Sequence, residues 1–133
     1  MAGFEYIDGL RVVVDQVVYM PSLHSPPDKP HPFLYYITVY NDSDREIQIM
    51  GRKWIVTESN DEMVVVEGSG VIGETPTLQP GESFSYNSYH VVARSGEAEG
   101  ALYGVAKEKV GEEKASRFVV AIPEFKLQCP NQG

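Results

Sequence analysis

The chain has 133 residues, of which 42% are hydrophobic and 23% are charged, so its size and composition are those of one globular domain and exclude a disordered chain. Lys and Arg number 11 against 19 Asp and Glu, and the net charge of −8 disfavours binding to nucleic acids and anionic membrane surfaces. The acidic start MAGFEYIDGL is unlike a secretory signal, and no apolar run reaches the length of a membrane helix.

The first half of the chain alternates apolar and polar residues, which predicts β-strands. In FLYYITVYN, Phe33, Tyr35, Ile37 and Val39 share one face, and the aromatic and β-branched content is typical of a strand covered on both sides. In the preceding segment, residues 10–20, the alternation slips at Asp15 and Gln16, which predicts a bulge or a bend. The predicted strands of this half comprise residues 10–20, 33–41, 46–50, 53–59 and 63–68.

The segment PSLHSPPDKPHP, residues 21–32, has five prolines and is predicted to be a stiff, extended loop. It contains His24, Asp28 and His31, which are ligand types that metals prefer. Their irregular spacing on a chain held extended by proline favours solvated loop residues over a metal site, and we expect no metal.

The stretch VVVEGSGVIGETP contains Gly68, Gly70 and Gly73 in the spacing G-x-G-x-x-G, which is the fingerprint of dinucleotide-binding loops. In those loops a helix begins at the last glycine and its N–H groups face the pyrophosphate. Pro76 and Pro80 forbid such a helix here. Two interpretations remain: the glycines allow a tight crossover between strands, or successive N–H groups around Ser69 form a nest for a small anion.

The second half of the chain repeats the strand pattern at residues 83–92, 101–107 and 117–127. Turn signals separate the strands, among them LQPGES and SGEAEG, and the charged segment 110–116 is predicted to be a hairpin loop. The single cysteine, Cys129, cannot form an internal disulfide and is predicted to be an inert thiol in a tail, which favours a cytoplasmic location. Short strands at this spacing predict an all-β fold, an antiparallel sandwich or barrel.

The order of these motifs resembles the ApaG family over nearly the whole chain. The residues that carry the resemblance are FLYYITVYN from Phe33, RKWIV from Arg52, VEGSGVIGETP from Val66, LQPGESFSYNS from Leu78, the stretch 96–100 and RFVVAIPEFKL from Arg117. The chain has RKW where the family usually has RHW, and lacks the methionine usual near residue 98. The resemblance implies one domain spanning residues 1–133, with an antiparallel β-sandwich like that of fibronectin type III and immunoglobulin domains.

The resemblance also implies functions that the residues alone do not. Bacterial members of the family are linked to cobalt and magnesium tolerance and to nucleotide-polyphosphate metabolism, and eukaryotic relatives use the domain as a protein-recognition surface. The glycine motif is a shared feature of the sandwich without an established catalytic role.

Arg52 and Trp54 are two residues apart on a predicted strand and therefore project from the same face. They form either a core tryptophan with arginine packed along it, or the cationic rim of a groove near the glycine motif.

The chain has no G-x-S-x-G nucleophile motif, and Glu67, Glu74 and Glu82 are expected to be solvated. We therefore expect a binding module without enzymatic activity or cofactor that recognises a protein partner, as a monomer or homodimer. The alternatives are binding of phosphate, pyrophosphate or a nucleotide polyphosphate, and hydrolysis of such substrates. The residues expected to contribute are Arg52, Trp54, Gly68, Ser69, Gly70 and Gly73.

Overall fold

The computed structural model describes residues 3–108 and 113–130, and every regular element among them is a β-strand. The strands are β1 (Leu10–Tyr19), β2 (His31–Asn41), β3 (Ile47–Glu58), β4 (Met63–Ser69), β5 (Thr77–Leu78), β6 (Ser83–Val92), β7 (Gly96–Lys107) and β8 (Ala115–Leu127). The prediction of an all-β, antiparallel sandwich of the fibronectin type III/immunoglobulin class is confirmed. No helix among the described residues is long and apolar enough to cross a membrane.

Two antiparallel sheets form the sandwich. The small sheet has the order β1-β2-β6, and the large sheet has the order β4-β3-β7-β8, with β5 paired to β3. The predicted bulge in β1 is present, because the register with β2 shifts between Val14 and Gln16. The core lies between the sheets and is formed by the inward-facing residue of each alternating pair, such as Ile37 and Val39 of β2 and Trp54 of β3.

Two predicted boundaries are wrong. Residues 46–50 and 53–59 form one continuous strand, β3, with a register shift between Ile49 and Gly51 at the point where two strands were predicted. The predicted turn at SGEAEG is the first part of β7, which begins at Gly96. The short strand β5 was not predicted.

The C-terminal segment also differs from its prediction. Cys129 is buried in the core with 2% of its surface exposed, and its N–H donates to the Ser95 Oγ at 2.8 Å. This packing raises the pKa of the thiol, because burial disfavours the thiolate. Cys129 is therefore a core residue and not part of a tail. In the predicted loop 110–116, residues 110–112 lie outside the described residues, and Ala115 and Ser116 belong to β8.

The proline-rich segment 21–30 is a loop with turns, and β2 starts within the predicted loop, at His31. His31 Nδ1 lies 2.9 Å from the Tyr19 hydroxyl of the neighbouring strand. The described residues contain no group of three or more His, Cys, Asp or Glu that could hold a metal ion, so His24, Asp28 and His31 do not form one. The loop is tied to the sandwich by Lys29, whose Nζ lies 3.3 Å from the buried carboxylate of Glu58.

Candidate functional site

A cleft of about 310 Å³ opens between β4 and β6, which are edge strands of the two sheets. The β4 residues that line the cleft, Val64 and Val66, are 39% and 38% exposed, so this face of β4 is only partly covered. Arg52 and Trp54 line the cleft because residues two apart on β3 project from the same face. The other lining residues come from the proline-rich loop and from β2, β3, β4 and β6: Lys29, Tyr35, Val56, Val64, Val66, Ser88, Tyr89, His90 and Val91.

The floor of the cleft is an aromatic cluster. Trp54 is 1% exposed, and its ring lies 5.0 Å from that of Tyr35 and 4.6 Å from that of His90, measured between centroids. His90 stacks on Tyr35 at 4.8 Å, and Phe125 of β8 closes the cluster behind Trp54. Such offset and edge-on contacts between rings favour a rigid floor.

Three polar atoms in and beside this floor lack hydrogen-bond partners among the described residues. Trp54 Nε1, His90 Nε2 and the Tyr86 hydroxyl are buried, and no described residue makes a hydrogen bond to them. Burial lowers the pKa of His90 to about 4, so the imidazole is neutral at pH 7. Burial also raises the pKa of Tyr35, against the opposing effects of the Ser88 hydroxyl and the charge of Arg52.

Arg52 lies at the rim of the cleft, and its side chain extends from β3 to β4. It is paired with Gly68 in the ladder between β3 and β4, and its Nη1 donates to the carbonyl oxygens of Ser69 and Gly70, each at 3.1 Å. A Cβ on Gly68 would lie 2.9 Å from this nitrogen. The missing side chain of Gly68 therefore leaves room for the guanidinium, which reaches the carbonyl oxygens of Ser69 and Gly70.

The rest of the glycine motif forms a two-residue hairpin. Val71 and Glu74 exchange two backbone hydrogen bonds, of 2.8 and 3.0 Å, and the central residues Ile72 and Gly73 have φ of 45° and 80°. Positive φ at both positions is typical of a type I′ turn. Gly70 precedes the hairpin with a φ of 68°, so two of the three glycines occupy conformations that L-residues rarely adopt.

The backbone groups that this loop presents to a ligand are carbonyl oxygens, whereas a phosphate loop presents N–H groups. The N–H groups of Gly70, Val71 and Glu74 donate to backbone carbonyls, and the carbonyls of Ser69 and Gly70 face a cation. An anion nest needs successive free N–H groups pointing at the ligand. The hypothesis of an anion site at the motif therefore depends on Arg52 more than on the glycines.

The sequence identified two of the lining residues, Arg52 and Trp54, and missed the aromatic ones on the opposite sheet. Tyr35 and His90 occupy the inward phase of β2 and β6, with the same alternation as their core neighbours. The sequence pattern therefore predicts that both side chains point inward. Only the packing of the two sheets brings the rings of Tyr35, His90 and Trp54 together.

Comparison with known proteins shows the family to which the chain belongs. A model of the ApaG domain matches residues 21–105, a range that contains every residue lining the cleft. The chain belongs to the ApaG family. It is 35% identical to Protein ApaG of Enterobacter sp. (strain 638) over 125 residues, covering 93% of this chain and 96% of that protein. A second Protein ApaG, from Acidithiobacillus ferrooxidans, is 38% identical over 109 residues, which are 82% of each chain.

The ApaG fold is shared by solved structures. The crystal structure of an ApaA protein from Bordetella pertussis superposes with a TM-score of 0.77 at 30% identity, covering 98% of this chain and all of that one. A late embryogenesis abundant protein solved in solution is similar in fold only, with a TM-score of 0.54 at 12% identity. The ApaG resemblance expected from the motifs is thus confirmed.

Proposed function

We propose that this ApaG-family chain is a non-enzymatic binding module that receives an extended segment of a partner protein along β4. The observation that carries the proposal is the exposure of β4, in which Met63, Val64, Val65 and Val66 are between 38% and 61% exposed. Four consecutive exposed apolar residues on a strand mean that both of its faces are open. Exposed apolar surface of this kind marks sites of protein interaction.

The backbone of β4 supports the same function. Among the described strands β4 pairs with β3 alone, so its outer edge offers unpaired N–H and C=O groups. An extended peptide can add to such an edge, with main-chain hydrogen bonds providing affinity and alternate side chains entering neighbouring pockets. In this chain the neighbouring pocket is the cleft, whose wall includes the β4 residues Val64 and Val66.

The charge around β4 favours a partner with basic residues. Residues 59–76 contain Asp61, Glu62, Glu67 and Glu74 and no Lys or Arg. A second copy of the chain would bring the same four carboxylates and its own net charge of −8, which disfavours pairing of two β4 edges. The partner that fits is an apolar segment flanked by Lys or Arg.

A matched pair of variants tests this proposal. Val66→Lys places a charge on the exposed cleft side of β4, and Tyr36→Lys makes a similar change at 36% exposure on the other sheet. A photo-crosslinking residue at position 65, introduced into each variant and the wild type, identifies the attached segment by mass spectrometry. We expect crosslinks to an apolar segment containing Lys or Arg, retained in Tyr36→Lys and lost in Val66→Lys. Equal crosslinking in both variants would refute docking on β4.

A second candidate function is binding of phosphate or pyrophosphate at Arg52. The observation that favours it is the position of this guanidinium at the rim of the cleft. Pyrophosphate at about 100 times its dissociation constant would stabilise the fold by about 2.7 kcal/mol, which is readily seen as a rise in melting temperature. No saturable rise in the wild type, or an equal rise in Arg52→Ala, would exclude this site.

A further inference from the structure

The charge of Arg52 has no counter-ion among the residues that the structure describes. None of the ion pairs among the described residues includes it, and its only side-chain hydrogen bonds to described residues are the two from Nη1. The Nε and Nη2 donors remain available, and guanidinium groups bind carboxylates through two such parallel bonds. The other cation at the cleft, Lys29, is already paired with Glu58.

The floor behind Arg52 is also incomplete. Trp54 Nε1 and His90 Nε2 are buried without partners among the described residues, and both side chains line the same cleft. Native structures leave few buried polar groups unpaired, and each such group calls for an explanation. Because these two atoms are buried, they make the floor polar without being open to the cleft, and Arg52 is the group that a ligand can contact directly.

The course of the chain beyond β4 limits what can bind beside Arg52. β4 covers residues 51–57 of β3, and β5 covers Ile47 and Gln48 on the same edge. Between them the chain turns through the hairpin 71–74. A segment that continued along β4 past the level of Arg52 would run toward this hairpin, whereas a segment that ends beside Arg52 would not.

We infer that the cleft binds the C-terminal carboxylate of the partner protein, with Arg52 as its counter-ion and the last apolar side chain packed against Val64 and Val66. The segment runs parallel to β4, which places upstream Lys or Arg residues near Asp61 and Glu62 at the other end of the strand. This inference rests on the proposed function, because it states which part of the partner the same edge receives.

The test uses the acetylated hexapeptide Lys-Lys-Thr-Val-Thr-Val with a free C-terminal carboxylate, and the same peptide as its C-terminal amide. Trp54 is the single tryptophan, so its fluorescence reports binding in the cleft, and calorimetry gives the affinity. We expect the acid to bind about tenfold to a hundredfold more tightly than the amide, as charge-assisted hydrogen bonds do. Arg52→Gln should abolish this preference, and Arg52→Lys should keep part of it.

The outcomes separate this inference from the proposed function. Equal binding of acid and amide, or an unchanged preference in Arg52→Gln, overturns carboxylate capture; if Val66→Lys still abolishes binding, docking on β4 stands. Failure of the acid peptide to bind the wild type also overturns the inference, while the crosslinking experiment independently decides docking. Arg52→Gln can fail to fold, because Arg52 Nη1 also donates to two loop carbonyls. In that case the affinities of the acid and the amide peptide for the wild type and for Arg52→Lys test carboxylate capture.

Discussion

Replacing Gly70 by alanine would place a Cβ where the backbone already lies. Gly70 has a φ of 68°, and this conformation costs an L-residue roughly 1–2 kcal/mol. The added Cβ would also lie 2.5 Å from the carbonyl oxygen of Glu74, so the backbone must shift. Because that carbonyl accepts the N–H of Val71 at 2.8 Å, the shift weakens a hydrogen bond worth about 1 kcal/mol. We expect Gly70→Ala to lower the free energy of unfolding by about 2–3 kcal/mol.

Gly73→Ala is the matched control. Gly73 has a φ of 80°, but apart from its two neighbours in the sequence no described residue has an atom within 4 Å of the position of its Cβ. This variant should therefore lose only the conformational part, roughly 1–2 kcal/mol. Urea unfolding followed by Trp54 fluorescence measures both variants without ligand. Equal losses would refute the contact with Glu74. A Gly70→Ala protein as stable as the wild type would refute the conformational role of the motif altogether.

Four further predictions follow from residues already described. His90 has a pKa of about 4 in the folded protein against 6.5 in the unfolded chain, so between these pH values only the unfolded chain binds the proton. The free energy of unfolding should therefore fall by about 3 kcal/mol as the pH drops from 6.5 to 4. His90→Gln should remove this contribution, and an unchanged dependence of stability on pH in that variant would contradict the prediction. Glu58→Gln should cost about 1–3 kcal/mol in thermal unfolding, since the buried carboxylate accepts the Ala93 N–H and pairs with two cations, whereas the exposed Glu62→Gln should change little. Ile72→Asn should stabilise the hairpin by on the order of 1 kcal/mol, because a β-branched residue at positive φ is strained, and a loss of stability would argue that the Ile72 side chain has contacts that matter. Purified protein should not hydrolyse ATP, GTP or dinucleoside polyphosphates, and steady turnover near about 10 per second that a point substitution abolishes would contradict this.

Strands were predictable wherever their signal is local. The alternation in β2 and β6 depends only on neighbouring residues, and the bulge at Asp15 is visible as a break in phase. The errors fall where glycine serves a cross-strand contact. Residues 51 and 52 lay between the predicted strands 46–50 and 53–59. A Cβ on Gly51 would lie 2.4 Å from the Tyr103 ring, so glycine at this position makes room for a side chain 52 residues away in the sequence. Gly96 was taken as a turn, and its Cβ would meet the Thr57 carbonyl oxygen of the paired strand.

The candidate site was predictable in part for the same reason. That Arg52 and Trp54 share a face follows from the period of a strand. The contact between the guanidinium and Gly68 depends on the register between β3 and β4. The contribution of His90 and Tyr35 to the floor depends on the packing of one sheet on the other. Neither can be read from spacing along one segment. The buried position of Cys129 is a further case, since it depends on Ser95 of a distant segment.

The open edge of β4 also determines how the molecule behaves when it is concentrated without a partner. Exposed apolar edge strands can pair with the same strand of another molecule, and natural proteins place charged residues beside such strands, which oppose aggregation. In this chain these charged residues are carboxylates, and the isoelectric point is near 4.8. Acidification toward that value would remove the repulsion between molecules while leaving the strand exposed. The acidic composition thus opposes pairing of β4 with the β4 of another molecule near neutral pH, although the strand itself stays exposed.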